Sequence, residues 1–330
     1  MGNKSIIKKI FSSREALLLI ILIVLMIVVQ AFNSSFLTPS SLQQLIKNNA
    51  VTIVLSAGML IVMLTGGIDI SIMSTLAFSG MAIGMLIKYD VIDNTILAFV
   101  IAMAIGLGCG IIVGLFIAYA DVPPIIATLG FMYVYRAMGY IISNGGEWAS
   151  ASALGHFGDY ATSSFLKLNK VIWIVIIVYA FFFFFMRLTR MGRKFFAVGS
   201  NPEAAEVSGI NVRRVKLLAY SIMGLLCGLG GALQVGIYAS AMPNMQDGGE
   251  MDVIAACVIG GVSMSGGKGS VGGALLGALI LATIVKALPL LGIDSLAQNT
   301  FKGILILVVV LMNALMQRAS DKNALKGREM

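Results

Sequence analysis

The stretch "SNPEAAEVSG", Ser200 to Gly209, lies between two long apolar runs and carries both the start and the stop of a short helix. Asn201 suits the cap position. Pro202 suits the first helical position, because its missing N–H would have no partner there, and Glu203 favours the positive end of the helix dipole. Ser200 with Glu203 also fits a capping box, which would move the start by one residue. Gly209 supplies a left-handed stop. At about 1.5 Å per residue such a helix is about 10 Å long, too short to persist alone in water. Ala204 and Ala205 leave its middle nearly bare, so a groove wall can come close. Held between two spans and docked on another protein, the helix would transmit force; a solvated loop capping its own ends is the plain alternative.

The flanks read as membrane. With 58% hydrophobic residues, 12% charged and a mean hydropathy of +0.96, the chain carries more apolar surface than a soluble domain of 330 residues buries. A crossing helix needs about 20 largely apolar residues. Ten stretches are expected spans: 16–32, 46–65, 71–87, 95–119, 123–142, 170–187, 216–238, the short 252–264, 270–289 and 301–317. The first also has the form of a signal peptide, but its removal would destroy the order of the loop charges.

With the N-terminus inside and all ten spans crossing, the inner side receives most of the 23 basic residues. They are Lys4, Lys8, Lys9 and Arg14; Arg187, Arg190, Arg193, Lys194, Arg213, Arg214 and Lys216; Lys268; and Arg318, Lys322, Lys326 and Arg328. This asymmetry places both termini and the Ser200–Gly209 helix in the cytoplasm. The net charge of +8 is therefore a topology signal, not a mark of nucleic-acid binding. The expected fold is an all-α, polytopic integral membrane protein. It has a tail at 1–15, a transmembrane domain at 16–317 with a cytoplasmic loop at 188–215, and a second tail at 318–330.

On its residues, "VGSNPEAAEVSGINVRRVKLLAYSIMGLLCGLGGAL" resembles the cytoplasmic coupling loop and following helix of the permease subunits of bacterial ABC importers for ribose, xylose and similar sugars. The resemblance continues in "LTGGIDISIMS" at 64–74, "VPPIIATLGFMYVYRAMGYIISNG" at 122–145 and "GEMDVIAACVIGGVSMSGGKGSVGGALLGALI" at 249–280, in the same order. It implies a type II-like importer permease in the bacterial plasma membrane, paired with a second copy or a close paralogue. It also implies a separate cytoplasmic ATPase that binds ATP and Mg, and an extracytoplasmic sugar-binding protein. Carried over residue by residue, coupling to the ATPase falls on Asn201, Glu203, Ala204, Ala205 and Gly209. The chain departs from the family pattern at Met73, where a glycine is common, and in the outward loop 145–169, which lacks a proline-rich pattern.

Other motifs have plainer readings. "GKGSVG" at 267–272 matches a dinucleotide fingerprint but lacks the preceding strand and the later acidic residue. "GVSMSGGKGS" is out of register for a phosphate loop, so no nucleotide site is expected in this chain. Cys109, Cys227 and Cys257 lie in apolar runs and read as packing residues. His156, the single histidine, reads as a surface residue, and no metal site is expected. Gly106, Gly110 and Gly114, with Gly80/Gly84, Gly224/Gly228 and Gly273/Gly277, repeat the small-residue spacing that lets helices approach in lipid.

"GGIDIS" at 66–71 and "GGVSMS" at 260–265 share a pattern, a trace of an internal repeat. Asp69 or Ser71 there is the cap of the next helix, with gate lining as the functional alternative. Polar residues inside spans are costly unless they face a partner or a wet path. Thr128, Arg136, Asn144 and Gln234 are therefore candidates for a sugar-lined pathway, with helix-packing hydrogen bonds as the equal alternative. Lys286, near an outer span end, is expected to snorkel.

The function expected is a permease passing a pentose, hexose or related polyol into the cytoplasm, with no enzymatic reaction of its own. Branched-chain amino acids or nucleosides are the alternative cargo. An ion-coupled secondary transporter is the alternative mechanism, disfavoured because none of the 15 acidic residues falls at the middle of an expected span.

Overall fold

The structure, a computed structural model, describes residues 14–290 and, beyond them, residues 292, 294, 297, 300, 303, 304, 307 and 311. The tail at 318–330, nearly all of that at 1–15 and, but for isolated residues, the expected span at 301–317 lie outside the described residues. In chain order the elements are α1 (Arg14–Phe32), α2 (Pro39–Asn48), α3 (Ala50–Leu64), α4 (Ile72–Lys88), α5 (Thr95–Ala118) and α6 (Pro124–Ile142). A loop then carries a single 3-10 turn, the short α7 (Asp159–Thr162) and the strands β1 (Ser164–Phe165) and β2 (Leu168–Asn169). After it come α8 (Lys170–Leu188), α9 (Arg190–Ser200), α10 (Pro202–Val207), α11 (Val212–Tyr238), α12 (Glu250–Ile259) and α13 (Val271–Leu290).

Six of these, α1, α5, α6, α8, α11 and α13, are long and apolar enough to cross a membrane; α2 and α3, bent by 53° at Asn49, make a seventh if counted as one span. The expected span 46–65 thus begins in one helix and ends in another. At 17 residues, α4 is one residue short of that length test. The expected span 252–264 is helical only over 252–259, part of the ten-residue α12, which at about 15 Å cannot cross the hydrocarbon core.

The physical reason lies in the preceding segment. Ala241 pairs with Ala149 and lies against Gly84 of α4, Met245 lies against Gly80, and Gly249 lies against Met73. Residues 241–249 therefore descend alongside α4 for about three turns without helical structure, and α12 completes the passage. Apolarity counts residues but does not report the path they take.

The all-α expectation also misses the β1–β2 hairpin, in which Ser164 pairs with Asn169 and Phe165 with Leu168. Leu166 and Lys167 both take positive φ, as a two-residue hairpin turn requires. Neither residue is Gly, Asn or Asp, so the turn leaves no signal in the sequence.

The centre of the bundle is α3, every residue of which but Thr52 is buried, and α11, which is 83% buried along its apolar length. For α1 and α6 the figures are 17% and 22%, and they expose Ile27, Phe32, Ile126 and Ile141. Apolar side chains left on the outside of helices this long are the mark of a lipid-facing surface. Because lipid tails are as apolar as leucine, what brings the helices together is close backbone packing. A Cβ on Gly106 would overlap the Gly224 carbonyl, and one on Gly110 would come within 2.9 Å of the Gly224 Cα. Gly80 meets Gly231, and Gly277 meets Gly260, in the same way. The small-residue spacing reads correctly as packing.

Loop contacts sort into two ends. At one, Asp121 lies 3.6 Å from Arg213, the Gly267 N–H donates to the Leu64 carbonyl at 3.0 Å, and the Ser270 hydroxyl donates to Glu15 at 2.6 Å. At the other, Lys88 pairs with Glu147, Gln43 bridges to Lys167 and Asn169, and Lys286 donates to the Ser41 hydroxyl at 2.6 Å.

Candidate functional site

The helix at 202–207 forms as its caps dictate. Asn201 sits in extended backbone, and its Oδ1 accepts from the Ala204 N–H at 2.9 Å. Ser200 takes no part in the cap; its hydroxyl donates to the Phe196 carbonyl at 2.8 Å, so the start is at Asn201 and the capping-box alternative falls. Gly209 has φ +80°, and the Ile210 N–H returns to the Ala205 carbonyl at 3.0 Å, closing the stop. The rest of the 188–215 segment is not a plain loop. Its first part is α9, capped by Thr189 and anchored by fully buried Phe195 and Val198, while Asn211 caps α11. Alternating arginines hid this amphipathic helix from a search for apolar runs.

The two alanines differ in placement. Ala205 is 4% exposed and turned into the protein, whereas Glu203 and Ala204 face out. Val207, passed over in the sequence, is 91% exposed and shares the outward face with Glu203 and Ala204. A bare valine at the tip of a capped helix was legible only as an apolar residue with no helical partner.

Behind α10, three segments meet with no room for a side chain. A Cβ on Gly199, in the last turn of α9, would overlap the Leu64 carbonyl oxygen and come within 2.6 Å of the Gly267 nitrogen. Gly266, at φ +88°, is equally close to Gly199 and to Gly66. The "GGIDIS" and "GGVSMS" breaks therefore lie side by side and touch the helix that carries α10. Both breaks use the same stop: the Gly67 N–H returns to the Val62 carbonyl, and the Val262 N–H to the Cys257 carbonyl. The left-handed glycines are Gly66 and Gly261, so the structural match is shifted by one residue from the sequence match.

Within the first break, Asp69 is 3% exposed and its Oδ1 accepts from the Ser71 N–H at 2.9 Å and the Ser71 hydroxyl at 2.6 Å. Ser71 stands at the cap position of α4 and makes no cap bond, and Asp69 holds Ser71 without reaching the first turn of the helix. Met73, where glycine was expected, is 1% exposed and fills the space against Gly249.

Of the four pathway candidates, two converge on the irregular segment 241–249. Arg136 donates to the carbonyls of Pro243 (2.9 Å) and Met245 (3.2 Å) and to Asp247 (3.2 Å). Gln234 accepts from Gln246 at 3.0 Å. Non-helical backbone inside a membrane bundle needs such donors. Thr128 is fully buried and donates to its own helix at Pro124, 2.8 Å away. Asn144 lies past the end of α6, donating to Tyr89 (3.3 Å) and Glu147 (3.4 Å). Lys88, hydrogen-bonded to Glu147, holds that carboxyl below its usual range.

Arg136→Met is expected to leave the Pro243 and Met245 carbonyls short of a donor, at about 1–3 kcal/mol for each buried group. The melting temperature in detergent should fall by several degrees; an unchanged value would show that Arg136 does not hold the segment.

All three cysteines are buried and free. His156 is on the surface beside Asp159 (3.0 Å). Among the described residues no group of His, Cys, Asp and Glu is arranged to hold a metal ion.

Long apolar helices packed around α3 and α11, with two helix breaks lying side by side, define a multi-pass membrane protein of the transporter kind. The chain belongs to the family described as "Branched-chain amino acid transport system / permease component", whose model matches residues 41–312. Membership makes it a transport component, not an enzyme. It is 36% identical over 284 residues to the ribose import permease protein RbsC of Escherichia coli K12, covering 84% of this chain and 87% of that one. It is also 36% identical over 281 residues to RbsC of Bacillus subtilis (85% and 87% covered). To the L-arabinose ABC transporter permease protein AraH of Azospirillum brasilense it is 32% identical over 291 residues (88% and 84%). No solved structure matches the chain.

Proposed function

We propose that this chain is the membrane-embedded subunit of an ATP-driven ABC importer that takes a sugar from an extracytoplasmic binding protein into the cytoplasm. The observation that carries it is the seating of α10: a capped helix with an outward face of Glu203, Ala204 and Val207, backed at Gly199 by both helix breaks. A push on α10 from a closing ATPase reaches Leu64 and Gly267 through backbone contact alone. The relatives supply the cargo class, since their names specify ribose and L-arabinose. The family description names branched-chain amino acids, but the relatives named above are sugar permeases, and they favour a sugar over that alternative cargo.

The working topology has ten crossings with both termini in the cytoplasm. It is supported by the two ends of the bundle. Arg14, Arg187, Arg190, Arg193, Lys194, Arg213 and Lys268 gather at the α10 end, as the positive-inside rule asks of a cytoplasmic face. The transmembrane domain is 16–317, with tails at 1–15 and 318–330, and it acts as a pair with a second copy or a close paralogue. ATP and Mg bind on the partner ATPase and no cofactor binds here. The irregular segment 241–249, held by Arg136 and Gln234, together with the Asp69 break, lines the gated path. Discontinuous helices near the middle of the membrane supply polar backbone to such paths.

The test is uptake by proteoliposomes holding the permease, its ATPase and its binding protein, over a panel of ribose, arabinose, galactose and leucine. Sugar uptake should survive collapse of the proton gradient and stop on ATP depletion. The reverse pattern would make it an ion-coupled transporter, with Asp69 as the buried carboxylate, and leucine uptake alone would overturn the cargo. In the same vesicles Val207→Asp should leave insertion intact and cut ATP-driven uptake at least tenfold, because a desolvated, unpaired charge costs more than about 1.4 kcal/mol at a docking face. Full activity of that variant would remove α10 from the coupling path.

A further inference from the structure

At the α10 end of the bundle, the first turn of α1, the last turns of α8 and the segment leading into α13 enclose two adjoining cavities of about 260 and 310 Å³. The first is polar, lined by Arg14, Glu15, Lys268 and Ser270 and by the bare backbone of Gly260 and Gly261. The second is mostly apolar, lined by Phe183, Met186, Phe196 and Val271 together with Arg187. They share Glu15, Gly269 and Ser270, so one ligand can occupy both. Arg14, Arg187 and Lys268 form no ion pair among the described residues. The one carboxylate, Glu15, accepts from the Ser270 hydroxyl. From Phe183 the apolar wall continues along the same face of α8 to Ile176, which is exposed.

We infer that this double cavity is a binding site for one anionic phospholipid, its headgroup phosphate among Arg14, Lys268 and Arg187 and an acyl chain passing over Phe183 and Met186 onto α8. The charge balance selects an anion. The apolar second chamber and its continuation along a lipid-facing helix select a phospholipid over a free phosphate. Basic pockets between membrane helices on the cytoplasmic side take anionic headgroups for this reason. The seat would tie the start of α1 and the end of α8 to the "GGVSMSGGKGS" break, and it does not rest on the transport reading.

Native mass spectrometry of the full-length chain in detergent tests it, with phosphatidylglycerol, phosphatidylcholine or inorganic phosphate added in turn. Saturable retention of phosphatidylglycerol over phosphatidylcholine is expected. At about 1 kcal/mol for each basic residue near a lipid surface, R14Q/R187Q/K268Q should weaken it about a hundredfold. All three side chains are exposed, so the variant should fold; an unchanged circular dichroism melt confirms this. Phe183→Ser, with the charges intact, should also weaken phosphatidylglycerol binding. Equal retention of the two lipids, or an unaffected triple variant, overturns the site. Protection by inorganic phosphate equal to that by the lipid overturns the acyl-chain seat. Retention that rises sharply on deleting residues 2–13 shows that the chain's own N-terminal segment is the occupant and overturns it too.

Discussion

Gly199→Ala is expected to cut ATP-driven uptake about tenfold to a hundredfold in a protein that still inserts and folds. The added methyl would overlap the Leu64 carbonyl oxygen and crowd the Gly267 nitrogen, whose N–H is bonded to that oxygen. Both neighbours are backbone, so no rotamer change makes room, and α9 must part from the two breaks. Overpacking of this kind costs about 1–3 kcal/mol. Where the contact passes motion from α10 to the gate, that is roughly tenfold to a hundredfold in rate. Gly108→Ala, with nothing within 4 Å, is the matched control and should transport normally. Uptake by Gly199→Ala equal to the control would mean that the junction carries no motion.

Gly224→Val is expected to prevent the bundle from assembling. Gly224 sits where α11 crosses α5, its Cα side facing the Gly106 carbonyl and the Gly110 backbone at 2.6–2.7 Å from where a Cβ would stand. A valine drives the two central helices apart along an interface that Gly106, Gly110 and Gly228 also form, and with little hydrophobic drive in lipid no other term compensates. The loss should be at least about 3 kcal/mol, a large share of a typical folding free energy. Detergent-solubilised yield and protease resistance report it. A variant recovered in normal amount with a normal melt would contradict the packing described here.

These expectations show how far the sequence could be read. The long crossings α1, α5, α6, α8, α11 and α13 were legible because apolar length alone specifies them. The caps at Asn201 and Gly209 were legible because capping is local chemistry. What escaped needs three dimensions. The bend at Asn49 splits one apolar run into two helices, and the descent of 241–249 replaces half a helix with irregular backbone. Both leave composition unchanged. Among site residues, Arg136 and Gln234 were conspicuous as polar groups in apolar spans; Arg136 holds the Pro243 and Met245 carbonyls, and Gln234 pairs with the Gln246 side chain. Thr128 is spent on its own helix turn. Ala205 faces inward and Val207, passed over in the sequence, faces outward; a six-residue helix has too little periodicity to tell its faces apart. Gly199 could not be singled out among 37 glycines without the carbonyl that crowds it.

The central claim is that α10 lies in the cytoplasm and is the surface an ATPase grips. Val207→Cys tests it directly, because Cys109, Cys227 and Cys257 are buried and leave the new thiol as the accessible one among the described residues. A membrane-impermeant maleimide should label inside-out vesicles and not intact cells, and saturating ATPase subunit should suppress the labelling at least tenfold. Labelling of intact cells, or labelling of inside-out vesicles that the ATPase leaves unchanged, would contradict the account.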